Sequence, residues 1–132
     1  MIGAIIGDIV GSRFEFGAAP QQGFELFTPD CSYTDDTICT IAIADAVLNE
    51  RDYQESLLDW CRRYPDPMGG YGRRFYQWIN ADNPQPTDSF GNGSAMRVSP
   101  IGWLFDEWED VIEEAKKSAI VSHNHPEGIK GA

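Results

Sequence analysis

A chain of 132 residues that is 42% hydrophobic and 12% aromatic carries enough apolar side chain for one buried core and too much for a disordered acidic tail. Its formal net charge of −11 argues against sequence-independent binding to nucleic acid or to an anionic membrane by the chain as a whole, because both reward a basic face. The three cysteines, Cys31, Cys39 and Cys61, form no CxxC pair. Their odd number and apolar neighbours read as reduced cytosolic thiols, with Cys39 and Cys61 packed in helices. The opening run Met1 to Gly7 has no basic flank and is broken by Asp8, so it is neither a signal peptide nor long enough to span a bilayer. The expected compartment is the cytoplasm.

In chain order the periodicities are helical. Gly3, Gly7 and Gly11 fall four apart and predict a side-chain-free strip on a first helix, where another helix approaches closely. Asp8 lies inside that apolar helix, so it must be paired, hydrogen-bonded or near a cation. Residues Arg13 to Asp30 show no repeat and read as a long loop carrying Glu15. Ile38, Ile41, Ala42, Ala44, Val47 and Leu48 recur at amphipathic spacing and predict a helix from Thr34 to near Asn49. Asp52 to Glu55 has capping-box spacing ahead of Leu57, Leu58 and Cys61, and Pro65-Asp66-Pro67 stops that helix. Gly69 to Gly72 is a loop and Arg73 to Ile79 a short aromatic helix. Asn80 to Gly93 is a second long connection. A helix from about Ser94 to Phe105, bent at Pro100, precedes a second capping box at Asp106 to Glu109, which opens a helix through Val111, Ile112, Ala115 and Ala119. The acids of that stretch read as a solvated face. With no hairpin signal and no repeat, the expected fold is all-α, a single domain over 1–132.

Three segments carry chemistry. Thr34-Asp35-Asp36-Thr37 crowds two carboxylates and two hydroxyls at one helix start, the oxygen donors that a hard cation such as Mg²⁺ takes. The same residues suit an N-cap and the positive end of a helix dipole. Capping needs only one of them, and adjacent carboxylates repel unless screened, so the excess points to metal. Gly91-Asn92-Gly93-Ser94-Ala95-Met96-Arg97 is a glycine-flanked loop whose free N–H groups, with the Ser94 hydroxyl and Arg97, suit a phosphate; the plain alternative is a helix cap with Arg97 in a surface ion pair. In Ser122-His123-Asn124-His125-Pro126 two histidines could ligate Zn²⁺, but nothing completes a tetrahedral set. The preferred reading places His123 as a neutral hydrogen-bonding group in a pocket, with Asn124, His125 and Pro126 starting a helix.

Four segments in order, Gly7 to Glu15, Tyr33 to Thr37, Gly91 to Pro100 and Ser122 to Pro126, resemble the ADP-ribosylglycohydrolase family. The resemblance implies an all-α fold with a two-ion Mg²⁺ site that hydrolyses the glycosidic bond between ADP-ribose and a protein or small-molecule acceptor. It implies Thr34, Asp35 and Asp36 as metal ligands and Glu15 as the acid beside the reacting ribose, with Glu15, Asp35 and Asp36 as the catalytic set. It places Gly91, Asn92, Gly93, Ser94 and His123 around ADP-ribose. Asp8 matches a motif position without an assigned role. A non-catalytic ADP-ribose-binding or structural module of the same fold is the alternative, and an unrelated Mg²⁺ or Zn²⁺ hydrolase using Asp35, Asp36 and His123 a third. The family draws its remaining metal ligands from an Asp-x-Asp-Thr type motif far toward the C-terminus, which this sequence lacks. The helix begun at Pro126 has about seven residues where roughly 12 to 15 are needed for marginal isolated stability. The expectation is an N-terminal part of a longer protein, with a half-built metal site and an exposed apolar face through which it self-associates.

Overall fold

The computed structural model describes residues 1–132. Seven α-helices follow one another: α1 (Ile2–Gly11), α2 (Asp35–Leu48), α3 (Tyr53–Arg63), α4 (Arg73–Ile79), α5 (Ile101–Leu104), α6 (Trp108–Ile120) and α7 (Pro126–Gly131), with a 3₁₀ turn at Ser12–Phe14 after α1. No strand forms; Thr87 and His123 make one isolated parallel bridge. The expected all-α class holds.

The boundaries follow from caps. Thr34 accepts the Asp36 N–H through its hydroxyl, opening α2. Asp52 accepts from the N–H groups of Gln54 and Glu55, opening α3. Pro126 sits in the first turn of α7 behind His125, whose Nδ1 accepts the Glu127 N–H at 3.1 Å. Each satisfies donors that a helix start leaves unpaired.

α2 is the centre of the molecule. Thr37 to Thr40, Ala42 to Ala44 and Ala46 are all buried, positions that run right round the helix and so depart from the amphipathic stripe the spacing predicts. The reason is size: Ala, Thr and Cys let neighbours approach from several sides at once. Around Ile38, Cys39, Ala42 and Ile43 pack Leu57 and Cys61 of α3, Trp78 and Ile79 of α4, Ile101 of α5 and Ala115 of α6. Asp45, near the end of α2, ties α2 to α3 by accepting from Ser56 Oγ (3.2 Å), Trp60 Nε1 (3.0 Å) and the Arg51 guanidinium.

The strip of Gly3, Gly7 and Gly11 faces open space, because a Cβ built on any of them meets nothing within 4 Å; it leaves room for a close approach that no helix of this chain makes. Two expectations are corrected. The helix predicted from Ser94 to Phe105 is only α5, preceded by turns. Pro100 has no N–H to donate and biases Ser99 away from helical angles, so the helix starts after the proline instead of bending through it. α6 begins after Glu107, which makes no side-chain cap bond, so Asp106 does not open a capping box. The acids Asp106 to Asp110 are solvent-exposed, as a charge run predicts.

Candidate functional site

The site lies where the start of α2 meets the 91–97 loop and the 122–125 segment. Asp8, projecting from α1, organises the first part. Its Oδ2 accepts the Thr34 N–H at 2.9 Å and the Thr37 hydroxyl, and its Oδ1 accepts the Thr34 hydroxyl at 2.6 Å. The half-buried carboxylate is therefore hydrogen-bonded, and it fixes the start of α2 against α1.

Asp35 and Asp36 follow directly, half-buried, and Glu15 lies at the end of the 3₁₀ turn against the Gly69 backbone. These acids raise one another. The Asp35 carboxyl is pushed up to about 6, first by burial, then by the charge of Asp36. Asp36 is raised by burial and by Asp8, and Glu15 by burial and then by Asp36 and Asp8. No cationic side chain offsets this cluster among those causes. Consecutive carboxylates at one helix start, each disfavoured in its charged form, fit a hard cation in donor type. The Thr34 hydroxyl already donates to Asp8 and accepts from Asp36 N–H, leaving one lone pair. No three Asp, Glu, His or Cys side chains converge on a common point.

The second part is a pocket of about 330 Å³ that begins at Asp35 and is walled by Arg73, Arg74, Phe75, Gly91 to Gly93, Arg97 and His123. Three guanidinium groups in a chain of net charge −11 make this the place where an anion is welcome. Within the 91–97 loop the Met96 N–H reaches Asn92 O at 2.9 Å, one helical turn that is not continued. Gly93 is there for space, since a Cβ would stand 2.7 Å from His123 Nε2.

His123 is buried and neutral. Its pKa is lowered to about 4 by burial and by the charge of Arg97. Ser122 Oγ lies 2.9 Å from His123 Nδ1 and accepts from Arg97 Nη2 at 2.8 Å, so the serine proton is directed to Nδ1. In that arrangement the neutral imidazole carries its proton on Nε2, which faces Gly93 and the pocket. Arg97 is fully buried, bonded otherwise only to Ser118 O at 2.8 Å, and its Nε and Nη1 have no partner. It is not the surface ion pair of the plain reading.

Of the residues singled out in the sequence, Asp35, Gly91, Asn92, Gly93 and His123 line one pocket. Thr34, Asp36 and Glu15 stand beside its acidic end, joined to Asp35 through the same field. Ser94 does not line the pocket: it is buried and its hydroxyl donates to Gly128 O at 2.6 Å, anchoring the loop to α7. His125 caps α7 and stacks edge-on against Phe90 at 5.3 Å, far in role from a zinc ligand. Sequence reading missed Arg73, Arg74 and Phe75 as walls. The available signal was an adjacent basic pair, directly after a glycine loop, in an acidic chain.

The model of the ADP-ribosylglycohydrolase family matches residues 1–132. The chain is 28% identical to the ADP-ribosylhydrolase ARH3 of Xenopus tropicalis, over 100% of this chain and 46% of that protein. It is 29% identical to the mouse ARH3, over 100% of this chain and 45% of that one. It therefore spans about half the length of the curated relatives it matches. Among solved structures, one described as an ADP-ribosylglycohydrolase-related protein complex superposes with a TM-score of 0.67 at 22% identity, over 98% of this chain and 49% of that chain, which supports the fold. No helix is long and apolar enough to cross a membrane. With a family model matched from the first residue to the last and the same all-α fold, this chain belongs to the ADP-ribosylglycohydrolase family.

Proposed function

We propose that this pocket binds ADP-ribose, and that Asp35, Asp36 and Glu15 at its acidic end serve the Mg²⁺-dependent hydrolysis of the bond between ADP-ribose and an acceptor. The observation that carries the reading is the continuity of one cavity from Asp35 to the arginine, glycine and His123 walls. A diphosphate suits the arginine and N–H side. The ribose whose bond is broken suits the carboxylate side, where oxocarbenium charge develops during glycosidic cleavage. ARH3 relatives named as ADP-ribosylhydrolases agree with that chemistry.

A bound Mg²⁺ supplies Lewis-acid orientation and lowers the pKa of bound water. The residues' own parts follow from geometry. Asp8 and Thr34 hold the start of α2, the turn that carries Asp35 and Asp36. Glu15, solvent-exposed beside the acidic end and with its pKa raised by burial and by the charges of Asp36 and Asp8, is the group that exchanges a proton with an attacking water or a leaving group. His123 Nε2–H offers a neutral donor under the loop, and Arg97 supplies fixed positive charge behind it.

Calorimetry with ADP-ribose, with and without Mg²⁺, tests the binding half, and release of free ADP-ribose from an ADP-ribosylated peptide tests the hydrolytic half. Saturable binding with Mg²⁺-dependent release is expected. Binding without release identifies a non-catalytic ADP-ribose module, which the partial ligand set favours as second reading. No binding overturns both.

A further inference from the structure

Behind the pocket, Cys39 of α2 and Cys61 of α3 face each other with their sulfurs 3.9 Å apart, both buried in the core. We propose that this pair is a peroxide-reactive modification site that closes reversibly into a Cys39–Cys61 disulfide joining α2 to α3, with Cys61 oxidised first.

Three observations carry it. The sulfurs are already in contact on two adjacent helices, 3.9 Å apart, with roughly 2.05 Å to be reached in a disulfide. Cys61 lines a cavity of about 180 Å³ with Arg62, Pro65, Tyr71 and Ile79, large enough for a peroxide and too small for a bulky oxidant. Arg97 is fully buried, bonded only to neutral oxygens, with Nε and Nη1 free. It has no carboxylate partner in any ion pair of the chain, and its positive charge acts on both thiols. Cys61 borders this cavity directly, so its sulfur is the one a peroxide meets first, and it is the nucleophile.

The chemistry balances with hydrogen peroxide as the oxidant. The Cys61 thiolate attacks one peroxide oxygen, the O–O bond breaks, hydroxide leaves, and Cys61 becomes a sulfenic acid. Cys39 sulfur then attacks Cys61 sulfur; the S–S bond forms and the sulfenic hydroxyl leaves as water with the Cys39 proton. The hydroxide takes up the proton that Cys61 lost on ionising, so two electrons pass from two thiols to one peroxide and two waters result. A small-molecule dithiol reverses the bond by exchange. Cys39 lies one helical turn beyond Asp35, so the bond fixes the helix that presents the acid pair. Neither step depends on the ADP-ribose reading.

The test uses the full chain with Cys31→Ser, which removes the half-buried loop thiol that competes for oxidant. Hydrogen peroxide should remove two hydrogens from the intact mass and yield one Cys39–Cys61 linked peptide. It should also raise the thermal unfolding midpoint, with dithiothreitol reversing all three. In Cys39→Ala, Cys61 should gain one oxygen and react with dimedone; in Cys61→Ala, Cys39 should stay unmodified. Oxygen gain without a link, oxidation beginning at Cys39, or two reduced thiols at the peroxide doses that oxidise Cys31 in the unsubstituted chain would overturn the proposal. The measurements on Cys31→Ser decide the matter even where a core alanine variant fails to fold.

Discussion

His123 lies directly under Gly93: a methyl carbon on that glycine would stand 2.7 Å from Nε2 and 2.8 Å from Cε1 of the imidazole. The loop and the histidine are therefore one unit, and any side chain at position 93 must displace the ring or lift the loop.

Gly93→Ala should weaken ADP-ribose binding strongly by calorimetry while leaving the thermal midpoint near that of the parent, because the ring has the pocket itself to move into. Ser94→Ala should do the reverse. Its buried hydroxyl bonds Gly128 O at 2.6 Å, and removing it leaves a carbonyl unsatisfied, a loss of about 1–3 kcal/mol in stability with little change in affinity. Equal affinity losses in the two variants would show that Ser94 reaches the ligand after all.

Asp8 supports three hydrogen bonds to the start of α2. Asp8→Asn keeps the shape but cannot accept all three from the same oxygens without presenting its amide to a donor. The expected cost is about 1–3 kcal/mol in urea unfolding. Thr37→Val removes only one of the donors and should cost less. If Asp8→Asn is as stable as the parent, the carboxylate does not fix α2.

Much of this was readable from residues. Helix starts at Thr34 and Asp52 and the segment Arg73–Ile79 follow from local cap and stop chemistry, which a few neighbouring residues decide. The meeting of Asp35, Gly93 and His123 was legible only through their ordered motifs. What escaped is set by distant partners. Ser94 reads as a ligand-facing hydroxyl until Gly128 is seen to take it, and Arg97 reads as a surface cation until α6 and Ser122 enclose it. The glycine strip of α1 marks a capacity for close approach, yet nothing in the sequence of α1 states what fills it.

Stability should respond to pH through two groups of opposite sign. His123 has its folded pKa lowered from 6.5 to about 4, so its contribution is full above the unfolded value and is lost as pH falls from about 6.5 toward about 4. Asp35 has its folded pKa raised from 3.8 to about 6. Its contribution is present at low pH and is lost as pH rises through about 6. The two compensate in the window between. Thermal midpoints measured from about pH 4 to about pH 7 should fall less steeply toward acid in His123→Gln than in the parent, and more steeply in Asp35→Asn. Superposable curves for all three would mean that neither group titrates as its surroundings dictate.

The acid pair gives the last test. Without a cation, Asp35 and Asp36 repel each other and are partly desolvated, while Thr34 alone provides the cap of α2. Asp35→Asn should therefore raise the thermal midpoint in the presence of a chelator, because it removes repulsion and leaves the cap intact. The parent should gain stability on adding Mg²⁺, rising with the logarithm of the ion concentration once it exceeds Kd; Asp35→Asn and Asp36→Asn should gain little or none. Gains in the two variants equal to that of the parent would return Thr34-Asp35-Asp36 to a simple helix cap, and a chelator-state midpoint lowered by Asp35→Asn would show that a hydrogen bond to the carboxylate outweighs the repulsion.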